Sequence, residues 1–123
     1  TPEAAHEVSF DPDALRFLHE AMTRTVDEGT GRRSRLPGIK VAGKTGTAQS
    51  VALPPKDADL EERALVEKEH AWFMGFAPAD DPQVAFAVIV EHAGGHGGAI
   101  AAPVAREALE AYFASQSPAG VGQ

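Results

Sequence analysis

The feature that most constrains the fold is a pair of apolar segments of strand length. The segments 70–77, HAWFMGFA, and 84–90, VAFAVIV, are rich in aromatic and β-branched side chains. The residues between them, PADDPQ, include two prolines and two aspartates, which favour turns because they fix or locally hydrogen-bond the backbone. Two apolar runs joined by such a turn predict an antiparallel hairpin. We expect its large aromatic side chains to be buried in the core, namely Trp72, Phe73 and Phe76.

Two amphipathic helices are predicted on either side of this hairpin. Asp11 can accept hydrogen bonds from the first turn of a helix, and Pro12 suits the first helical position. Apolar residues then recur every three or four positions up to Val26, which predicts a helix over about 12–28. A similar pattern from Ile100 to Phe113 predicts a final helix, in which Pro103 fits only near the first turn.

The remaining segments complete an α+β fold, an antiparallel sheet of at least three strands flanked by helices. Alternation over 39–51 predicts a third strand, and the arginine-rich segment 30–37 is interpreted as a solvated loop. The charged segment 56–69 predicts a long excursion with a short helix. We expect a disordered tail over 115–123.

Composition narrows the classes of function. The 123 residues suffice for one ordinary domain or part of a larger one. A net charge of −7 argues against nucleic acid as a partner. The absence of cysteine excludes disulfides and thiolate metal sites, and no apolar run approaches the roughly 20 residues that span a bilayer.

One segment, GIKVAGKTGTAQ over 38–49, matches two different functional motifs. Its first eight residues satisfy the nucleotide-binding pattern G-x-x-x-x-G-K-[ST], and residues 44–47 spell K-T-G-T. A nucleotide-binding loop needs an apolar strand before it and a helix that begins at the lysine. Here arginines and a proline precede Gly38, and Gly46 follows the Lys-Thr pair, so neither requirement is met. Nucleotide binding is therefore rejected.

The K-T-G-T residues instead suit a strand that lies beside a peptide. Thr45 and Thr47 share one face of a strand, so their hydroxyls can jointly bind a carboxylate. Gly46 permits close approach of a partner. Lys44 lies on the other face and must reach round the strand edge to serve the same site. A match of only four residues is explained by chance as easily as by function.

The surrounding segments resemble a known family. The segments AGKTGTAQ, HAWFMGFAP, QVAFAVIVE and AAPVAREALEAYF occur in this order over about residues 10–114. Together they resemble the C-terminal part of the transpeptidase domain of class B penicillin-binding proteins, most closely the elongation type. The resemblance implies a D,D-transpeptidase that cross-links peptidoglycan stem peptides through a serine acyl-enzyme. It also implies that β-lactams, which mimic D-Ala-D-Ala, react at the same serine.

The same resemblance implies roles for the motif residues. Lys44 would place positive charge near the nucleophile, and Thr45, Gly46 and Thr47 would bind the substrate and its terminal carboxylate. The backbone N–H of Thr47 would be one of two oxyanion-hole donors. No cofactor or metal is implied, and His92 and His96 are interpreted as loop residues. The implied location is the periplasmic or extracytoplasmic side of the bacterial inner membrane, with a membrane glycosyltransferase as a further partner.

Two catalytic motifs of that family do not occur in the sequence. The family uses Ser-x-x-Lys for the nucleophile and Ser-x-Asn for proton transfer. None of the serines has lysine three positions later or asparagine two positions later; they are Ser9, Ser34, Ser50, Ser115 and Ser117. We therefore expect residues 1–114 to be the C-terminal segment of the domain, inactive without the missing N-terminal part. The alternative is a non-catalytic binding or structural module derived from the family.

Overall fold

The computed structural model describes residues 8–48, 57, 59–61 and 69–116. Its elements follow the predicted order of helix, strand, hairpin and helix. They are α1 (Pro12–Asp27), a short 3-10 helix (Arg32–Ser34), β1 (Ala42–Ala48), β2 (His70–Ala77), β3 (Val84–Val90) and α2 (Gly97–Gln116). Among these described residues, no helix combines the length and apolar character needed to cross a bilayer.

Helix α1 begins as the sequence predicts. The Asp11 carboxylate accepts hydrogen bonds from the backbone N–H groups of Asp13 and Ala14, at 2.8 and 3.0 Å. These bonds satisfy donors that have no partner within the helix. The apolar stripe is buried only at its C-terminal end, where Val26 is 1% exposed. Leu15 and Leu18, nearer the N-terminus, remain about half exposed.

The three strands form one antiparallel sheet in the order β1-β2-β3. Strand β2 lies in the middle, with Phe73 opposite Thr45 on β1 and Val88 on β3. The hairpin and the α+β class are therefore confirmed. The described part of β1 ends at Ala48, so the predicted continuation to residue 51 lies outside the described residues. Most of the predicted excursion over 56–69 lies outside them as well.

Helix α2 packs on the side of the sheet that carries Phe73. Three alanines of α2 bring the helix close to the sheet; Ala101, Ala102 and Ala105, together with the larger Leu109, are buried with Phe73 in one cluster. Of the three aromatic residues predicted to be core, only Phe73 is fully buried. Phe76 is partly buried, and Trp72 is 38% exposed because alternate residues of a strand point to opposite faces. The prediction was wrong for Trp72.

The final helix differs from the prediction at both ends. It starts at Gly97, which makes Pro103 its seventh residue and places it beyond the first turn. The expectation that Pro103 lies near the first turn was therefore wrong. The helix also continues through Ser115 to Gln116, into the segment predicted to be a disordered tail. The rest of that tail, 117–123, lies outside the described residues.

Candidate functional site

The four motif residues lie together in one open cleft of about 660 Å³. Strand β1 forms one wall, the first turn of α2, which lies against β1, forms a second, and the loop after α1 closes one side. The motif contributes Lys44, Thr45, Gly46 and Thr47 to the lining. The other lining residues are Thr30, Arg32, Arg33, His96, Gly97, Gly98 and Ala99.

The side chains of Lys44 and Thr45 leave the strand on opposite faces but meet at its edge. Thr45 lies opposite Phe73, on the α2 side, and Lys44 lies opposite Met74. The Lys44 ammonium nevertheless donates a hydrogen bond to the Thr45 carbonyl, with 2.6 Å between Nζ and O. The lysine thus bends round the edge of β1, as serving the same site requires.

The exposed edge of β1 presents backbone groups to the cleft. The lysine contact places the Thr45 carbonyl on the side of β1 that faces away from β2. In a strand, the N–H and C=O of one residue point to the same side, and every second residue repeats that direction. Thr45 and Thr47 therefore direct their backbone groups away from β2. Such an edge can pair with an extended peptide.

Thr30 contacts the motif, although no motif or periodicity in the sequence singles it out. Its hydroxyl lies 2.8 Å from the hydroxyl of Thr45, within hydrogen-bonding distance. Because a hydroxyl can donate one bond and accept others, Thr45 can bond Thr30 and still reach a ligand oxygen. Thr30 lies three residues after the end of α1, in a segment without apolar periodicity, so no pattern in the sequence indicated this contact.

The first turn of α2 lies directly on β1 because it contains no side chains there. A Cβ atom added to Gly97 would lie 2.7 Å from the carbonyl oxygen of Gly46, and closer still to that of Trp72. A Cβ added to Gly98 would overlap the carbonyl of Thr30. Real Cβ atoms essentially never come within 3.0 Å of such atoms. The cleft therefore requires glycine at both positions.

The arginines of the loop after α1 are exposed, as the interpretation of a solvated loop requires, and they also donate hydrogen bonds to neighbouring elements. Arg32 and Arg35 donate to backbone carbonyls at the end of α1, those of Glu28 and Val26, at 2.9 and 3.1 Å. Carbonyls in the last turn of a helix have no partner within it. Arg33 instead donates to the carbonyl of Ala99 on α2, at 3.1 Å.

The charges around the cleft suit an anionic ligand. Its lining carries three basic side chains, Arg32, Arg33 and Lys44, together with the imidazole of His96. None of its described lining residues is Asp or Glu. This local positive potential contrasts with the net charge of −7 for the whole sequence. Threonine hydroxyls and backbone N–H groups supply neutral donors beside the cations, a combination that can bind a carboxylate.

The two candidate histidines differ in position. His92 lies in the turn after β3 with a positive φ of 49°, and its backbone N–H donates to Nδ1 of His70 at 2.9 Å. His96 lines the cleft, and its carbonyl accepts bonds from the N–H groups of Ala99 and Ile100 at the start of α2. Within the described part of the chain, no group of three or more His, Cys, Asp or Glu residues is arranged to hold a metal ion.

Comparison with known proteins defines the class. A family model for the penicillin binding protein transpeptidase domain matches residues 1–110. The chain belongs to this family.

Individual relatives agree with that assignment. Over 88 residues the chain is 49% identical to the peptidoglycan D,D-transpeptidase MrdA of Acinetobacter baumannii, an alignment that covers 68% of the chain and 12% of the relative. It is also similar to the crystal structure of Pseudomonas aeruginosa PBP2 in complex with WCK 5153, with a TM-score of 0.66 and 32% identity. That match covers 90% of the chain and 23% of the solved one.

A further solved structure is an acyl-enzyme. The imipenem acyl-enzyme complex of penicillin-binding protein A from Mycobacterium tuberculosis is 32% identical, with a TM-score of 0.64, and the match covers 85% of this chain and 20% of that one. The chain thus spans less than a quarter of the length of each of these three relatives.

Proposed function

We propose that this chain supplies the K-T-G-T wall of a peptidoglycan D,D-transpeptidase, which cross-links cell-wall stem peptides through a serine acyl-enzyme. One observation carries the proposal. Lys44, Thr45 and Thr47 line a cationic cleft beside the edge of β1, which pairs on that side with no strand of the described residues, and no described lining residue is acidic. A stem peptide ending in D-Ala-D-Ala is an extended chain with a terminal carboxylate, which such an edge and such charges suit.

In this proposal each motif residue has a separate role. The hydroxyls of Thr45 and Thr47 bind the terminal carboxylate of the stem peptide, or the equivalent carboxylate of a β-lactam. The Lys44 ammonium holds positive charge beside the reacting serine and favours proton transfer there. The backbone N–H of Thr47 stabilises the oxyanion of the tetrahedral intermediate, and a donor of this kind accounts for roughly 10²–10³ in turnover.

The proposal places the nucleophile outside this chain. Of the serines within the described residues, which are Ser9, Ser34 and Ser115, none lines the cleft. Ser34 is buried, and its hydroxyl donates to the Gly31 carbonyl at 2.8 Å. We propose that the N-terminal part of the domain supplies the reacting serine and the remaining catalytic groups. The reaction would take place on the extracytoplasmic side of the membrane, near a glycosyltransferase that makes the glycan strands.

The test is acylation by a fluorescent penicillin in the complete transpeptidase domain that contains this segment. Lys44→Ala should lower the acylation rate by about 10²-fold or more, because a charge beside the reacting centre is lost. Thr45→Val should chiefly raise the penicillin concentration needed for half-maximal rate, since it keeps the strand shape and removes one hydroxyl. The chain without the N-terminal part should form no covalent adduct.

Lys40→Ala is the matched control, because this lysine precedes β1 and does not line the cleft. It should leave acylation unchanged. Near-normal acylation in both Lys44→Ala and Thr45→Val would refute the assignment of the site. A complete domain that never reacts with penicillin would favour the alternative of a non-catalytic module.

A further inference from the structure

Proline inside α2 leaves one carbonyl without its helical partner. In an α-helix the carbonyl of each residue accepts the N–H of the residue four positions later. The partner of the Ala99 carbonyl would be the N–H of residue 103, and proline has none. Ala99 lines the cleft together with His96, Gly97 and Gly98.

Arg33 supplies the missing donor. Its Nη1 lies 3.1 Å from the Ala99 carbonyl oxygen, across 66 positions of sequence. A guanidinium donor makes a stronger hydrogen bond than a neutral amide donor. The same side chain also lines the cleft. Arg33 therefore joins the loop after α1 to the wall that α2 forms.

We infer that Arg33 is a positioning residue of the cleft, where its guanidinium replaces the N–H that Pro103 lacks and holds the first turn of α2 against β1. The predicted effect of Arg33 on ligand binding rests on the proposed function. Arg33 and Pro103 act together. Pro103 leaves the Ala99 carbonyl without a helical donor, and the Arg33 guanidinium donates a hydrogen bond to it.

The glycines of the same turn explain why this attachment matters. Gly97 and Gly98 let the turn contact the backbone of β1 and the Thr30 carbonyl with no side chain between them. Glycine also lowers helix stability, because it has more conformational freedom to lose. The first turn of α2 contains two glycines, and Pro103 follows soon after it. The hydrogen bonds within α2 therefore hold this turn only weakly. The bond from Arg33 compensates for this weakness.

The first test is penicillin acylation of the complete domain, separated into the apparent dissociation constant and the limiting acylation rate. Arg33→Ala should raise the dissociation constant about fivefold, the size expected when one hydrogen bond is lost. The limiting rate should stay the same, because Lys44 and the Thr47 N–H are unchanged. Arg33→Lys should recover part of the affinity. The midpoint of thermal unfolding, measured on the same samples, should shift little.

The second test is a double-mutant cycle with Pro103→Ala, which restores the helical N–H to the Ala99 carbonyl. In that background Arg33→Ala should raise the dissociation constant by less than it does with proline at position 103, because only the loss of its positive charge remains. Arg32→Ala is the matched control, since this neighbouring arginine lines the same cleft but bonds Glu28. Its effect should be the same with proline or alanine at position 103.

Hydrogen exchange provides an outcome that does not depend on penicillin. Arg33→Ala should speed exchange of the amides of residues 99–102, and Pro103→Ala should reverse that change. Equal effects of Arg33→Ala with proline and with alanine at position 103 would overturn the inference. So would an Arg33→Ala variant whose hydrogen exchange and penicillin affinity are unchanged, or one whose affinity falls in proportion to its thermal stability. If the domain does not react with penicillin, the proposed function fails and exchange alone decides the role of Arg33.

Discussion

Replacing Gly97 by alanine should push the first turn of α2 away from β1. The added Cβ would lie 2.7 Å from the Gly46 carbonyl oxygen and closer still to that of Trp72, against a practical minimum of 3.0 Å. Both neighbours are backbone atoms of paired strands, which cannot rotate aside. The helix must therefore retreat, which widens the cleft and should raise the dissociation constant for penicillin, as the loss of the Arg33 contact does.

Two opposing effects decide the stability of this variant. Alanine is favoured over glycine in helices by up to about 1 kcal/mol. Overpacking against a rigid neighbour costs about 1–3 kcal/mol. The overlap with backbone atoms should outweigh the gain in helix propensity, because the gain is smallest at the first residue of a helix. We expect Gly97→Ala to lower the free energy of unfolding by about 1–2 kcal/mol.

The assays are urea denaturation and penicillin acylation of the complete domain. Gly95→Ala is the matched control, because its Cβ would meet only side-chain atoms of Ile100, Cδ1 and Cγ1, at the mobile end of a flexible side chain. This control should keep both stability and acylation close to those of the wild type. Wild-type stability and acylation in Gly97→Ala would refute the close contact between α2 and β1.

Three further predictions concern the cleft, the rejected motif and the exposed sheet face. Thr30→Val should weaken β-lactam binding about threefold to tenfold, because the Thr45 hydroxyl loses its partner, whereas Thr30→Ser should bind normally. Equal dissociation constants for both variants would contradict this role. ATP and GTP should give no heat of binding in calorimetry, since β1 continues through Lys44 as a strand; micromolar, magnesium-dependent binding would reverse the choice of motif. The chain alone should self-associate or be partly unfolded in sedimentation experiments, because Trp72, Met74 and Ile89 are exposed on one face. A monodisperse monomer that unfolds cooperatively would be incompatible with that expectation.

Features set by local sequence were predictable. The Asp11 cap and the hairpin follow from short patterns, since a cap needs only its own first turn and a hairpin needs only two runs and a turn. The need for Lys44 to bend round β1 also followed from strand periodicity. The roles of the motif residues could be stated only through the resemblance to penicillin-binding proteins, and they stay predictions.

Features that depend on distant contacts were not predictable. An unbroken apolar run does not reveal which face a helix will cover, so Trp72 was wrongly placed in the core. The position of Pro103 beyond the first turn follows from a helix start at Gly97, within a glycine cluster that is typical of a turn. The contact of Arg33 with α2 joins residues 66 positions apart, and no periodicity indicates it.

The arginine contacts also bear on the order in which the cleft assembles. Arg32 and Arg35 reach carbonyls only four and nine positions away, whereas Arg33 reaches across 66. Closing a longer stretch of chain costs more entropy, so contacts between distant residues tend to form late in folding. The loop after α1 can therefore fold before the hairpin exists, but the cleft wall formed by the first turn of α2 cannot. In refolding followed by pulsed hydrogen exchange, the last turn of α1 should gain protection before the first turn of α2, which makes the ligand cleft a late product of folding.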